Sequence, residues 1–334
     1  MKFTLYGISA LEYWRLIGSS DVVVPKLDRL AVSGEQMTEG EIIKELRLLP
    51  GIQSLSLPIH NGTVAKRSAY HRDVLHFHVI GEHMLKSPVL SIAGNVGLSS
   101  PEGCLLQIAG CVELPELIGL MHEFCGFYSP AEKLIQRDPL TSLTKLTRAS
   151  KRLAGTRGAK KFCRALAYVR GPSRSPMETA LALFLSLPYS MGGYSFSDLQ
   201  LNSKEPLDSF SRRNTGVKTL EPDILFPSCN LCIEYDGRSF HEGQDAVRRD
   251  ARRINLLTLN GYTVITLVSS QLMSCKDMHE TALAIARVMG KRLQIRDQSR
   301  FIRERSRLRG LLLGSENILR TQKVDQKMLA ERKV

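Results

Sequence analysis

The chain has 334 residues, of which 43% are apolar, so it can bury substantial hydrophobic cores. Because this length exceeds that of one ordinary domain, we expect two. No apolar run approaches the roughly 18 residues that span a bilayer, and the N-terminal stretch MKFTLYGISALEYW does not resemble a signal peptide. These features exclude a membrane-spanning protein and lead us to expect a cytoplasmic protein with no membrane partner.

The seven cysteines are scattered between Cys104 and Cys275. An odd number of cysteines at such spacing in a long chain does not indicate a disulfide framework and is typical of a reducing compartment. Cys229 and Cys232 form an isolated CxxC motif with no second pair. Zinc binding and redox chemistry are therefore not expected of them.

The positive charge is concentrated in two segments. The net charge is +13 with a pI near 9.5. Residues 144–170 contain nine bases and no acid, and residues 291–334 contain thirteen bases and five acids. A single basic segment can be the solvated face of an ordinary helix. Two of them flanking one candidate site favour a polyanionic partner, and we expect DNA.

Residues 1–140 are predicted to form an α+β module. Capping-box spacing predicts helices that begin near Ser9–Glu12 and Thr38–Glu41, and Ser99–Glu102 predicts a third with Pro101 in its first turn. A further helix is expected over 115–124. Residues 55–80 are predicted to form short strands with a turn at Asn61–Gly62. A winged-helix fold and a purely protein-interacting module are the alternatives for this region.

Four histidines in this region raise the question of a metal site, namely His71, His76, His78 and His83. Their spacing matches no standard zinc pattern, and no cysteine lies nearby. His76 and His78 are instead spaced as on one face of a strand. We therefore do not expect a metal site here.

The remaining chain is predicted to divide into three parts. Residues 141–172 are expected to form a basic helical linker that ends at Gly171–Ser173. Residues 173–289 are expected to form an α/β domain, and residues 290–334 a basic helical tail. No internal repeat is visible, and the oligomeric state is open.

The segment 221–237 reads EPDILFPSCNLCIEYDG and contains the most informative pattern. Pro227–Asn230 resembles a turn between two alternating apolar runs, which predicts a hairpin. In that register Phe226 faces Leu231, and Asp223 faces Glu234.

Alternation places the acids of this hairpin on one face. That face carries Asp223, Leu225, Cys232, Glu234 and Asp236, and the opposite face is apolar. Opposed carboxylates repel each other. A divalent cation such as Mg²⁺ converts this repulsion into shared attraction. The alternative is an exposed, hydrated face with ordinary solubilising acids.

The elements after the hairpin carry a histidine and a group of arginines. His241 follows Asp236, and residues 244–259 are predicted to form a helix that ends at Asn260–Gly261. Residues 262–268 are predicted to form a strand of the buried type. The helix carries four candidate phosphate-binding side chains, namely Arg248, Arg249, Arg252 and Arg253. Solvated arginines are the alternative explanation.

Glu178 has two compatible interpretations. Ser175–Glu178 has the spacing of a capping box, with Pro176 at the first helical position. Capping alone would explain this glutamate. It is also an acid on the helix that precedes the hairpin and a candidate site residue.

The acidic hairpin resembles a known nuclease motif. Pro222–Asp223 followed by residues 234–236 (EYD) resembles the PD-(D/E)XK motif, and residues 236–241 (DGRSFH) look like the corresponding segment of very-short-patch-repair (Vsr-like) endonucleases. The similarity extends through the basic helix to residues 261–265 (GYTVI). The chain also resembles bacterial proteins that join a Vsr-like domain to an N-terminal module, some of them related to abortive-infection regulators. The resemblance covers about 95 residues strongly and 99–128 weakly.

The resemblance implies a restriction-endonuclease-like fold, a mixed sheet flanked by helices, with Mg²⁺ or Mn²⁺ as cofactor. It implies that Asp223 is a metal ligand and that Glu178 is the acid on the preceding helix. Asp236 and His241 occupy positions where very-short-patch enzymes have histidines. The chain departs from the motif in one respect, because Asp236 replaces its lysine.

The leading hypothesis is metal-dependent hydrolysis of DNA phosphodiesters. The candidate catalytic residues are Glu178, Asp223, Glu234, Asp236 and His241, and the candidate metal ligands are Asp223, Glu234 and Asp236. His241 is the expected general base or leaving-group acid. The alternative is a nucleic-acid-binding regulator with a degenerate, non-cutting nuclease fold, in a toxin–antitoxin or phage-defence setting. A protein-interaction module whose charge only aids solubility is a third hypothesis.

Overall fold

The structure is a computed structural model that describes residues 3–18, 22, 29–30, 38–64, 74–130, 134–237 and 244–314. The chain divides into two compact units, Met1–Val169 and Arg170–Asn317. Each unit has its own sheets and helices, so the chain is of mixed α/β class. None of the described helices is long and apolar enough to cross a membrane.

The first unit is built on a six-stranded mixed sheet with the order β2-β5-β6-β1-β3-β4. Its strands are β1 (Phe3–Leu5), β2 (Arg29–Leu30), β3 (Ile59–Thr63), β4 (Leu75–Val79), β5 (Val89–Ala93) and β6 (Val96–Ser99). The pairs β1/β6 and β3/β4 are parallel, and the remaining pairs are antiparallel. A small antiparallel pair follows, β7 (Tyr128–Pro130) and β8 (Leu134–Gln136).

Six described helices accompany these strands, namely α1 (Gly7–Leu16), α2 (Glu39–Leu46), α3 (Pro101–Ala109), α4 (Leu114–Cys125), α5 (Leu143–Arg152) and α6 (Ala159–Leu166). The predicted capping box before α2 is confirmed, because Thr38 and Glu41 cap each other's backbone N–H groups. The predicted start of α3 is also confirmed, with Ser100 as N-cap and Pro101 in the first turn.

The predicted capping box at Ser9–Glu12 is wrong. Helix α1 begins two residues earlier, at Gly7, and its N-cap Tyr6 makes no side-chain capping bond. Both presumed capping side chains contact other segments. The Ser9 hydroxyl accepts a hydrogen bond from the backbone N–H of His60, and the Glu12 carboxylate accepts one from Ser56. Tertiary contacts therefore override the local capping signal.

The turn predicted at Asn61–Gly62 is also wrong, although residues 55–80 contain two short strands as expected. Both residues lie inside β3, where Asn61 pairs with Leu5 and Phe77. A Cβ atom at Gly62 would lie 2.7 Å from a ring carbon of Tyr6. The glycine is therefore needed for close packing inside a strand and not for a turn.

The first unit differs from a winged helix, since its centre is a six-stranded sheet and not a small wing. The basic segment 141–172 is not a linker as predicted, because most of it is part of the first unit. Helices α5 and α6 belong to this unit, and their apolar sides, with Leu146, Ala149, Phe162 and Ala165, are buried. The apolar residues at helical spacing within the basic segment anchor it to the unit.

The second unit contains a four-stranded sheet with the order β14-β13-β12-β9. Its strands are β9 (Gln200–Leu201), β12 (Ile224–Phe226), β13 (Leu231–Asp236) and β14 (Thr263–Val268), and a separate antiparallel pair consists of β10 (Glu205–Pro206) and β11 (Thr219–Leu220). Strand β12 is antiparallel to β9 and β13, and β13 is parallel to β14.

The described helices of this unit are α7 (Pro176–Ser186), α8 (Ser209–Thr215), α9 (Gln244–Leu259), α10 (Ser269–Met273), α11 (Cys275–Val288) and α12 (Gln298–Leu313). Helix α9 connects the parallel strands β13 and β14, as such a crossover requires. The tail predicted for 290–334 is in part wrong, because α12 belongs to the second unit and buries Phe301 and Leu308. Residues 315–334 lie outside the described part.

Strand β14 is predicted as buried, and it is not. Of its six residues, Leu267 alone is buried. The strand lies at one end of the four-stranded sheet, so its apolar composition reflects partial packing. Val264 and Tyr262 lie against a small core formed by Leu225, Cys232 and Leu257, which connects α9 to the sheet.

Candidate functional site

The hairpin of β12 and β13 has the predicted register. Phe226 pairs with Leu231 and Ile224 pairs with Ile233. A 3₁₀ turn at Pro227–Cys229 connects the strands, and Asn230 closes it in the left-handed conformation.

This register brings Asp223 opposite Glu234. Asp223 lies just before β12, and its carboxylate accepts a hydrogen bond of 2.8 Å from the backbone N–H of Tyr235. The side chains of Asp223 and Glu234 retain only 15% and 12% of their exposure. Two largely buried carboxylates therefore face each other on the sheet, in contrast to the hydrated hairpin face that was the alternative.

Helix α9 covers the face that carries these acids. Leu257 packs on Leu225 and Cys232, the next residues along the strands on the same face. Arg253 is four residues before Leu257, so it lies on the same side of the helix. Its Nη2 atom is 3.0 Å from a carboxylate oxygen of Glu234 and 3.6 Å from one of Asp223. Arg253 therefore forms ion pairs with both acids.

Burial and mutual repulsion raise the pKa values of these acids towards neutral pH. Burial, reinforced by the charge of Glu178, raises the pKa of Asp223 to about 6. Burial, reinforced by Asp223, raises the pKa of Glu234 to about 7. Arg253 opposes both shifts and does not cancel them. Carboxyl groups that titrate near neutrality are characteristic of functional sites, although structural networks also produce them.

Glu178 is the third acid of this group and is buried in the first turn of α7. Its carboxylate accepts hydrogen bonds from the backbone N–H of Arg174 at 2.8 Å and from the side-chain amide of Asn202 at 3.1 Å. Only half of the predicted capping box forms, because the Ser175 hydroxyl accepts from the N–H of Glu178 whereas the Glu178 carboxylate accepts from the N–H of Arg174 instead of that of Ser175. The carboxylate thus has partners besides the cap.

Asn202 connects Glu178 to the hairpin. Its backbone N–H donates to the carbonyl of Asp223, while its side chain donates to Glu178. Its φ of 48° lies in the left-handed region, which asparagine tolerates better than most residues. Asn202 was not identified from the sequence, because no local pattern connects it to residues 178 and 223.

The other candidate residues lie at different places around the acids. Asp236 is the partly buried last residue of β13, two residues beyond Glu234 and on the same face. Arg248 and Arg252 are exposed on α9, where they can contact a ligand. Arg253, predicted as a phosphate-binding side chain, faces the acids and also donates to the carbonyl of Glu221. His241 and the side chain of Arg249 lie outside the described residues.

The CxxC motif has no feature of a metal or redox site. Cys232 is fully buried beneath α9, and burial raises the pKa of its thiol to about 12, so the thiol stays protonated. Cys229 lies in the turn between the strands. Cys232 functions as a small apolar residue in the core.

The donor set of the acid cluster (Glu178, Asp223 and Glu234) suits a hard cation. Mg²⁺ is commonly bound by one or two carboxylates together with water, and Asp223 and Glu234 supply that pair. Within the described chain, these acids do not supply three ligand atoms that all lie within 4.8 Å of one another. A bound cation would therefore depend on water for several ligands and would compete with Arg253.

Such a close group of ligands does occur in the first unit. The ligand nitrogens of His60, His76 and His78 all lie within 4.8 Å of one another. His76 and His78 were candidates from the sequence, whereas His60 was not. His83 is not part of this group, and His71 lies outside the described residues.

Comparison of the chain with protein-family models, with curated proteins and with solved structures gave no significant match. The nuclease resemblance therefore depends on the sequence motifs alone.

Proposed function

We propose that the second unit hydrolyses phosphodiester bonds of DNA in a reaction that requires Mg²⁺ or Mn²⁺, and that its fold is restriction-endonuclease-like. The observation that carries the proposal is the opposition of Asp223 and Glu234 on the hairpin, with Glu178 close enough to raise the pKa of Asp223. Folding alone disfavours three acids gathered in a largely buried place. A function that needs their charge explains why they are there.

Asp223 and Glu234 would hold the cation, and Glu178 and Asp236 would complete its surroundings. Bound Mg²⁺ would lower the pKa of a water molecule and stabilise charge on the phosphate. Exposed Arg248 and Arg252 would bind the DNA backbone as bidentate donors. His241 keeps its proposed role as general base or leaving-group acid.

A second candidate function is DNA binding without cleavage, in a regulator that retains a nuclease-like fold. Two observations favour it. Arg253 already forms ion pairs with both acids, and Asp236 replaces the lysine of the motif. A phage-defence or toxin–antitoxin setting would fit this function.

The experiment that separates the two functions is a cleavage assay on the full-length protein. Supercoiled plasmid and end-labelled single- and double-stranded oligonucleotides of DNA and RNA are incubated with Mg²⁺, with Mn²⁺ or with chelator. Asp223→Asn and Glu234→Gln remove charge while preserving size. Glu280→Gln is the matched control, because Glu280 is an exposed acid of the same unit on α11.

Under the main proposal, wild type and Glu280→Gln cleave DNA only with the metal. Asp223→Asn and Glu234→Gln should reduce cleavage by at least about 100-fold, which corresponds to about 2.7 kcal/mol of transition-state stabilisation. Retarded migration of uncut DNA with all four proteins supports the second candidate. If the wild-type protein neither cleaves nor binds DNA, both proposals are contradicted.

A further inference from the structure

Three histidines gather in the sheet of the first unit, at the pair of parallel strands β3 and β4. His60 on β3 is the direct partner of His76 on β4, and His78 follows two residues later on the same face. His60 and His76 are fully buried, and His78 is 6% exposed. The parallel register thus brings together side chains from two separate strands.

The three imidazole rings form a compact stack. Ring centroids are 4.4 to 4.9 Å apart, and Tyr6 stacks on His78 at 5.0 Å. His60 Nδ1 and His78 Nε2 are 2.7 Å apart, so one of them donates a proton and the other accepts it. Each neutral imidazole carries one nitrogen with a lone pair, which is the form that binds a metal ion.

Ligand type narrows the class of ion. Imidazole nitrogens favour Zn²⁺ and its neighbours in the first transition series, whereas Mg²⁺ and Ca²⁺ favour oxygen. Three histidines with a fourth position left to a small ligand is a recurrent zinc arrangement. The histidine group contains no carboxylate, which further disfavours a hard cation.

A cavity borders this group at His78. It has a volume of about 290 Å³, and its wall includes Tyr6, His78, Gln107 and Cys111. His78 is therefore both a member of the histidine group and part of the cavity wall. An ion and its exchangeable fourth ligand would have a route to the rings.

We propose that His60, His76 and His78 bind one Zn²⁺-class ion in the first unit, with the fourth position served from the cavity. The lone pair of an imidazole lies in the ring plane, and two of these rings are within 4° of parallel. Binding therefore requires at least one ring to turn so that the lone pairs converge. This site is separate from the acids of the second unit, which carry hard oxygen ligands.

The test uses untagged full-length protein that is treated with chelator, desalted and then exposed to Zn²⁺ alone. Bound zinc per chain is measured by mass spectrometry after a second desalting step, and Co²⁺ is used in parallel for its visible d–d absorption. The variants are His60→Gln and His78→Gln. His83→Gln is the matched control, because His83 lines the same cavity and is not in the group.

Wild type, His83→Gln and Asp223→Asn should each retain one zinc ion. Loss of a residue that only supports a metal ligand lowers metal affinity by about 10-fold or more. His60→Gln and His78→Gln remove ligands, so each should lower zinc affinity by at least this factor. Retention of zinc by both His60→Gln and His78→Gln, or wild-type protein that retains none, would overturn the proposal. The Asp223→Asn arm makes this outcome independent of the proposed nuclease activity.

If a variant fails to fold, a measurement on the wild-type protein tests the site instead. Long-range imidazole ¹H–¹⁵N spectra should show that Zn²⁺ shifts the ring nitrogens of three histidines. Spectra that do not respond to saturating Zn²⁺ would contradict the site without any substitution.

Discussion

The acid cluster of the second unit and the histidine group of the first unit both bring largely buried polar side chains together beside a sheet, and they differ in charge. Asp223 and Glu234 become negative near neutral pH and have Arg253 as their counterion. An imidazole can carry no charge, and His60 and His78 form a hydrogen bond with each other. A buried ion requires a partner of opposite charge, whereas a neutral polar group requires only hydrogen bonds.

This difference affects what each cluster can bind. A cation at the acid cluster has to displace or share the positions of Arg253, so the arginine and the metal compete. A metal at the histidine group competes with protons and with the hydrogen bond between His60 and His78. The two clusters should therefore respond differently to removal of charge, to pH and to the type of metal.

The largest expected effect is on the stability of Arg253→Met, which removes the counterion. Loss of one partner from a fully buried ion pair costs about 3–5 kcal/mol. Arg253 is 35% exposed, so we expect a loss of about 2 kcal/mol at pH 8, measured by denaturant unfolding. Arg252→Met is the control, because Arg252 is exposed on the same helix and should change stability by less than about 0.5 kcal/mol.

Magnesium should reverse part of this loss. With Arg253 gone, Mg²⁺ can approach both carboxylates, so saturating Mg²⁺ should raise the Tm of Arg253→Met more than that of wild type. The same addition should have no effect on Arg253→Met combined with Asp223→Asn. A Tm of Arg253→Met that does not respond to Mg²⁺ would show that the arginine, and not a metal, is the native cation of this cluster.

The second effect is the pH dependence of stability. The pKa values of Asp223 and Glu234, about 6 and about 7, lie above the unfolded values of about 3.9 and 4.3. Their contribution to stability is thus complete below about pH 4 and is lost as the pH rises through about 6 to 7. Glu234→Gln should weaken this dependence and be more stable than wild type by about 1–2 kcal/mol at pH 8.

Unfolding curves at about pH 5 and about pH 8 measure this difference. Glu280→Gln provides the comparison, since its exposed carboxylate should leave the pH dependence unchanged. A Glu234→Gln variant that is less stable than wild type at both pH values would mean that the ion pair with Arg253 outweighs the cost of burial.

The third effect concerns Glu178, whose carboxylate accepts bonds from Arg174 and Asn202. Glutamine can accept the same bonds through its carbonyl oxygen, so Glu178→Gln should change stability by less than about 0.5 kcal/mol. Glu178→Ala should lose about 1 kcal/mol, as the removal of caps does. If Glu178 acts only in capping, Glu178→Gln keeps any metal-dependent activity. Loss of activity in a folded glutamine variant would make it part of the metal site.

The acid cluster was predictable to a large extent because its signals are local. Alternation around the turn at Pro227–Asn230 is sufficient to predict the pairing of Phe226 with Leu231. Arg253 reaches the acids because it lies four residues before Leu257, on the same side of α9, and this spacing is visible in the sequence. Arg253 was nevertheless predicted to bind phosphate. The sequence around an arginine does not show whether its guanidinium binds a carboxylate of the same protein or a phosphate of a ligand.

The histidine group could not be predicted in the same way. His60 meets His76 through the parallel pairing of β3 and β4, and parallel registers are not set by a short turn. Asn61–Gly62 has the composition of a turn, which concealed the strand that contains His60. Residues in contact across such a pair are connected by tertiary packing, including the approach of Tyr6 to Gly62.

The smallest effect on stability and the most direct test of DNA binding concern the basic helix α5. Arg148 and Arg152 are exposed there, and Leu146 and Ala149 are buried on the opposite side. Arg148→Gln and Arg152→Gln together should change unfolding free energy by less than about 0.5 kcal/mol. If both contact phosphates, DNA affinity falls and the slope of log K against log salt concentration decreases in magnitude by about 2.

Lys276→Gln, an exposed base of the second unit, measures the general effect of net charge. An equal change in slope for one α5 substitution and for Lys276→Gln would mean that α5 contributes to the electrostatic field without contacting the DNA backbone.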